Sequence, residues 1–300
     1  MKNRIYTLLI FASLIYKPLY SQNLLIKPNF SIGDSLSYIV SEEEKTSSLI
    51  VLSKGKHQFE VKFLILDTSN GYTINFTTKL IKPIGKKFVI ESTLDKLRDG
   101  INLTYKLNNS GWLIDIVSYR NNQLKAVAML DSIAVSTDLS RKELGSLQYL
   151  RNQLEKPDGL QLLLGPIILF NQIYLNRPFR NQKDYYPSSL VNIFYQPQIT
   201  GTGISKLNKI DIQSGMANVS IDFIANRDSA AKVIIPMYKE LLYEMTGKMP
   251  KLSLENVKCE FHSQYEVEIS KGYPQHIFKR QVIVYGDKSI SETNMDILNK

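Results

Sequence analysis

The feature that most limits what this chain can fold into is a strict alternation of apolar and polar residues over several separate stretches. In HQFEVKFLILD, one side presents His57, Phe59, Val61, Phe63 and Ile65, and the other presents Gln58, Glu60 and Lys62. In GYTINFTTKL, Tyr72, Ile74, Phe76 and Leu80 oppose Thr73, Asn75, Thr77 and Lys79. INLTYKLN repeats the pattern with Ile101, Leu103, Tyr105 and Leu107, and after Asn109-Ser110-Gly111 it resumes in WLIDIVSY. A period of two is that of a strand with one face buried, and a short polar turn between two such runs predicts a hairpin. The first half therefore reads as an antiparallel sheet with one wet face.

The middle of the chain changes period. From Asn121 to Val135, Leu124, Val127, Ala128, Leu130, Ile133 and Ala134 recur at helical spacing. Ser140 followed by Glu143 has the form of a capping box, opening a second helix through Leu144, Leu147, Leu150 and Leu154. Leu160–Leu175 is continuously apolar enough to predict a third, buried helix, and Arg177–Pro187 reads as a loop. Strands are expected again over Ser188–Tyr195, Ile199–Gln213 and Met216–Ile224. A helix with an internal Pro236 should follow over about Asp228–Thr246, then two long strands, Val257–Ile269 and Gln275–Tyr285. The tail, Asp287–Lys300, is polar and reads as frayed. Strands on both sides of a helical middle predict one α+β domain over residues 22–300: a large curved antiparallel sheet, open like a half-barrel, with about four helices on one face.

The start of the chain constrains location. Lys2 and Arg4 precede an uncharged stretch from Ile5 to Tyr16, followed by Pro18 and the small residue Ser21. That order is the layout of a secretory signal peptide over residues 1–21, and the stretch is too short to cross a bilayer comfortably. The expectation is export to the periplasm or the extracellular space. No later segment is a credible span, because Leu160–Ile173 carries Gln161, Asn171 and a Gly165-Pro166 break. The net charge of +9 includes three basic residues of the leader, and no run of clustered Lys and Arg with interleaved aromatics points to nucleic acid. The single cysteine, Cys259, cannot form an internal disulfide, so the fold must stand on packing.

Candidate chemistry is sparse. The histidines are His57, His262 and His276, and none sits in a zinc, nucleophile-elbow or phosphate-loop motif, so no catalytic residue, metal or cofactor is assigned. Cys259 and His262 are three apart on a strand and should point to opposite faces. Glu260, His262, Glu266 and Glu268 form a same-face row spaced by about 6.6 Å, which reads first as a solvated sheet face and second as the carboxylate pair of an envelope-directed hydrolase. Gly201-Thr202-Gly203 reads as a bulge or bend.

The strongest functional segment is the apolar one. As a lid over a curved sheet, Leu163, Leu164, Ile167 and Phe170, with Met237 and Leu241 of the later helix, would line a cup for a lipid-like ligand. The leading reading is a non-catalytic exported protein that binds an apolar ligand or an envelope protein in the concavity. The alternatives are the hydrolase and a structural or assembly component of the envelope. NFSIGDSLSYIV (Asn29–Val40) and YKLNNSGWLIDIVSYRN (Tyr105–Asn121) resemble uncharacterised secreted β-rich proteins of Bacteroidota, a likeness that spans about the first half of the chain and carries no catalytic residues. By architecture alone, the layout is also similar to periplasmic lipoprotein carriers with an open half-barrel.

Overall fold

The computed structural model describes residues 23–47, 54–83, 89–136, 139–156, 159, 163, 177–190, 198–248, 257–285 and 287–297. Eleven strands form one antiparallel sheet in the order β6-β5-β4-β3-β2-β13-β12-β11-β10-β9-β8. The first half supplies β2 (Ser35–Ser47), β3 (Lys54–Asp67), β4 (Tyr72–Lys82), β5 (Asn102–Leu107) and β6 (Leu113–Val117). The second half supplies β8 (Asp184–Leu190), β9 (Ile199–Asp211), β10 (Met216–Ala225), β11 (Lys258–Glu268), β12 (Pro274–Tyr285) and β13 (Asp287–Ile297). Two short strands, β1 (Leu24–Leu25) and β7 (Pro178–Phe179), pair separately. The fold is α+β, and the two edge strands β6 and β8 do not pair with each other, so the sheet stays open.

Long-range contacts of the N-terminal segment show that the sheet is curled. The Phe30 ring lies 4.9 Å from Tyr72 at the start of β4 and 6.4 Å from Tyr273 beside β12. The Tyr72 hydroxyl donates to the Pro28 carbonyl at 2.8 Å, while the Asn29 amide donates to the Lys271 carbonyl at 2.9 Å. In a flat sheet β4 and β12 are about 19 Å apart across four strand spacings. One residue can touch both only if the sheet bends around it. Inside the bend, Tyr38, Phe63, Phe76, Tyr105 and Tyr265 are fully buried and are the core's largest side chains.

Among the described residues there are four long helices, two of which lie on the inner face and two of which pack on other helices. We number them α1 (Val89–Arg98), α2 (Tyr119–Ser136), α3 (Arg141–Glu155) and α4 (Arg227–Thr246). Helix α1 lies on β4, and α4 lies on β9 and β11. Helix α3 packs against α1, α2 and α4, joining the two sides. The Ser140 capping box forms as expected, and Gly247 ends α4 in the left-handed conformation at φ 69°. No helix of the described residues is long and apolar enough to cross a membrane.

Several expectations need correction. Residues 287–297 are not frayed: β13 pairs along its whole length with β12 on one side and β2 on the other, and so joins the two halves. A central strand needs neighbours more than apolar residues, because both backbone edges are satisfied by pairing. Arg177–Pro187 is not a loop throughout, since it contains β7 and the start of β8. The register is regular through Gly201 and Gly203, and the irregularity sits opposite Asn218 and Val219. The two glycines instead admit close neighbours: a Cβ on Gly203 would lie 2.2 Å from the Tyr186 ring. In α2 the buried face is turned by one residue, with Gln123 1% exposed and Leu124 50% exposed. Gln123 is buried because its side-chain amide donates to the Leu154 and Lys156 carbonyls, which the end of α3 would otherwise leave unpaired.

Candidate binding site on the inner face of the sheet

Residues directly opposite one another on paired strands point to the same side of a sheet. The register therefore defines rows that run across the inner face from strand to strand. One row passes through Leu207, Val219, Tyr265, Ile277, Val40 and Phe59, crossing β13 at Met295. Its six named members are all buried and all carry large apolar bodies. The next row, two residues along each strand, runs through Asp184, Ser205, Ile221, Ser263, Lys279, Glu42 and His57, crossing β13 at Thr293. A polar row thus interrupts an apolar face at the level where α1 and α4 reach the sheet.

At its β3 end the polar row closes into an ionic cluster with α1. His57 donates through Nδ1 to Asp95 Oδ1 at 2.6 Å and through Nε2 to Glu42 Oε2 at 2.7 Å. Arg98 Nη1 donates to the same Glu42 oxygen at 2.8 Å. Asp95 is 1% exposed. Burial by itself would favour the neutral imidazole, but the bonds to Asp95 and then Glu42 outweigh it and push the His57 pKa up to about 9. Burial likewise works against the Glu42 carboxylate, and the charge of Arg98 followed by the bond from His57 holds its pKa well below the ordinary range. The cluster has two carboxylates and two cations and is neutral as a whole. With both ring nitrogens bound to carboxylates, His57 has no free lone pair to act as a base. Its role is to fasten α1 to the sheet.

Toward β11 and β12 the inner face is only partly covered. Tyr265 and Ile277 are fully buried, whereas Phe261, Lys279, Gln281 and Ile283 remain part-exposed beside α4. Cys259 is buried on this face, and desolvation pushes its thiol up to about 12, which makes it an inert packing group. His262 lies on the opposite, outer face, where it is paired with Asp222. Cys259 and His262 therefore diverge as expected. Glu260, Glu266 and Glu268 share that outer face, with Glu260 bound to Lys258 at 2.9 Å and Glu266 to Asn218 at 3.4 Å. Among the described residues no group of three metal-ligating side chains gathers on either face.

Of the residues expected to line the cup, Leu163 is buried, but its cluster is formed with Leu97, Leu130, Leu147, Leu150 and Leu154 of α1–α3. It belongs to the interior of the helical cap. Leu164, Ile167 and Phe170 lie outside the described residues, as do the side chains of Met237 and Leu241. A groove of about 350 Å³ between α2 and α3, lined by Leu130, Ala134, Leu144 and Arg151, sits on the outside of the cap. The ionic cluster is absent from the sequence expectations, although one signal for it was present. His57 begins the apolar face of β3, and Glu42 extends the buried series Tyr38 and Val40.

No protein-family model matches this chain, and no curated protein does.

Proposed function

We propose that this protein is exported and non-catalytic, and that it binds an apolar ligand on the concave face of its sheet. The observation that carries the proposal is the part-exposed inner surface of Phe261 and Ile283 beside α4, which the polar row through Ser263 and Lys279 separates from the wholly apolar row from Leu207 to Phe59. An apolar concavity with few polar groups is the usual form of a small-molecule site. A half-covered inner face is costly to leave against water and is stabilised when an alkyl chain takes the water's place. The hydrolase alternative lacks comparable support. Its carboxylate row stands on the outer face with Lys258, Asn218 and Asp222 as neighbours, and the buried histidine is locked between carboxylates.

Native mass spectrometry of the full chain, purified without detergent from its producing cells, tests the reading. Solvent extraction of the same sample identifies what is bound. The expected result is a population heavier than the bare chain by the mass of an extractable lipid-like molecule. Repeated preparations with only the bare mass, and no uptake of added dodecanol or dodecanoate, would overturn it.

A further inference from the structure

Resting on that reading of the concave face, we propose that the bound ligand carries an acidic head group, an oxyanion on an alkyl chain, held by Lys279 and Arg177. Both cations stand on aromatic rings of the inner face. The Lys279 ammonium lies 5.2 Å from the Phe261 ring centroid, and the Arg177 guanidinium lies 4.2 Å from that of Tyr186. Among the described residues neither makes a hydrogen bond or an ion pair, although both are partly withdrawn from water. Ser263 is directly opposite Lys279 in the strand register, and the Tyr265 hydroxyl sits beside Ser263 and within the field of Arg177. The group is two cations beside a pair of hydroxyls that bond to each other, on one face.

Among the described side chains, the carboxylates nearest in the row, Glu42 and Asp184, are engaged elsewhere. Glu42 is the acid whose charge reaches Lys279, but it already accepts from both His57 and Arg98 within a cluster that is neutral without Lys279. Asp184, at the β8 end of the row, is turned toward Arg180 at 4.0 Å. Desolvation lowers the pKa of both Lys279 and Arg177, as it does for a buried cation lacking a counter-ion. A guanidinium whose face is stacked on a ring keeps its N–H edge for a planar oxyanion. A carboxylate or phosphate monoester placed here accepts from Lys279 and Arg177. Its chain then runs along Phe261 and Ile283 under α4.

Three probes with the same chain, dodecanoate, dodecanol and dodecyltrimethylammonium, separate head from tail by isothermal titration calorimetry on the full chain near pH 7. Dodecanoate should bind about tenfold or more tightly than dodecanol, with the ammonium weakest. Lys279→Met, which keeps the stem over Phe261, and Arg177→Gln should each weaken dodecanoate about tenfold and leave dodecanol unchanged. Lys279→Arg should retain the preference. Equal affinity for dodecanoate and dodecanol in the unaltered protein overturns the head-group inference while leaving apolar binding intact. Failure of all three probes to bind overturns both. The comparison in the unaltered chain decides the matter even if a variant does not fold.

Discussion

At the scale of the residue, the decisive group is His57. A buried imidazolium between two carboxylates is stable only because each of its N–H groups has an anionic acceptor. The folded state therefore holds the proton more tightly than the unfolded chain, in which the ring titrates near 6.5. That stabilisation is fully present below about pH 6.5 and is lost as the pH rises through about 9. Glu42 acts at the other end of the scale. Its share is present above its ordinary value of 4.5 and falls away as acid protonates it. The melting temperature should be highest between about pH 5 and 6.5 and should decline toward pH 9 to 10. In His57→Gln the buried carboxylates lose a cation, which costs about 3 to 5 kcal/mol at pH 6 by chemical denaturation, and the alkaline decline should flatten. A wild-type melting temperature that stays level from pH 6.5 to 10 would contradict the assignment.

At the scale of the element, close backbone approach decides what a strand can carry. Gly201 of β9, opposite Ala225 of β10, comes so close to that strand that an added Cβ would sit 2.3 Å from the Ile224 carbonyl oxygen and 2.7 Å from the Phe223 ring. Gly203 makes room in the same way for Tyr186, on which Arg177 is stacked. Gly201→Ala must push β9 away from β10, and the expected cost is about 1 to 3 kcal/mol. Urea denaturation measures it, and an unchanged midpoint would show that the strands part more easily than the register implies. The α2 helix gives a related lesson. Its apolar spacing identified a helix correctly, but the face that turns inward was chosen by Gln123, whose side chain caps the carbonyls at the end of α3. Periodicity marks a face only to within about one residue when a polar side chain has a buried task of its own.

At the scale of the whole molecule, β13 is the seam. It pairs from Lys288 to Ile297 with β2 and from Asp287 to Asp296 with β12, so the first and last thirds of the chain meet through it. Removing residues 287–300 would expose two long, unpaired strand edges in the middle of the sheet. Such a truncated chain should lose its cooperative melt by far-UV circular dichroism and run as aggregate in gel filtration. A soluble monomer with a native-like transition would mean that β2 and β12 can pair directly. The same seam matters for binding, because the floor between α1 and α4 is built from β12, β13 and β2.

What the amino-acid order determined by itself is local. The alternation along β3, β4, β5 and β11 assigned each side chain to a face, the Ser140 box opened α3, and Gly247 closed α4. Each of these depends on residues within a few positions of one another, so each is legible in one dimension. The polar composition of β13 hid a central strand, because its second partner beside the neighbouring β12 is β2, at the far end of the chain. Glu42, His57, Asp95 and Arg98 come from three elements, and only the pairing of β2 with β3 and the seating of α1 make them one neutral cluster. Lys279 and Ser263 likewise meet by strand register. Alternation fixes which way a side chain points; which other side chains it meets depends on non-local pairing, and that is decided only when the sheet curls.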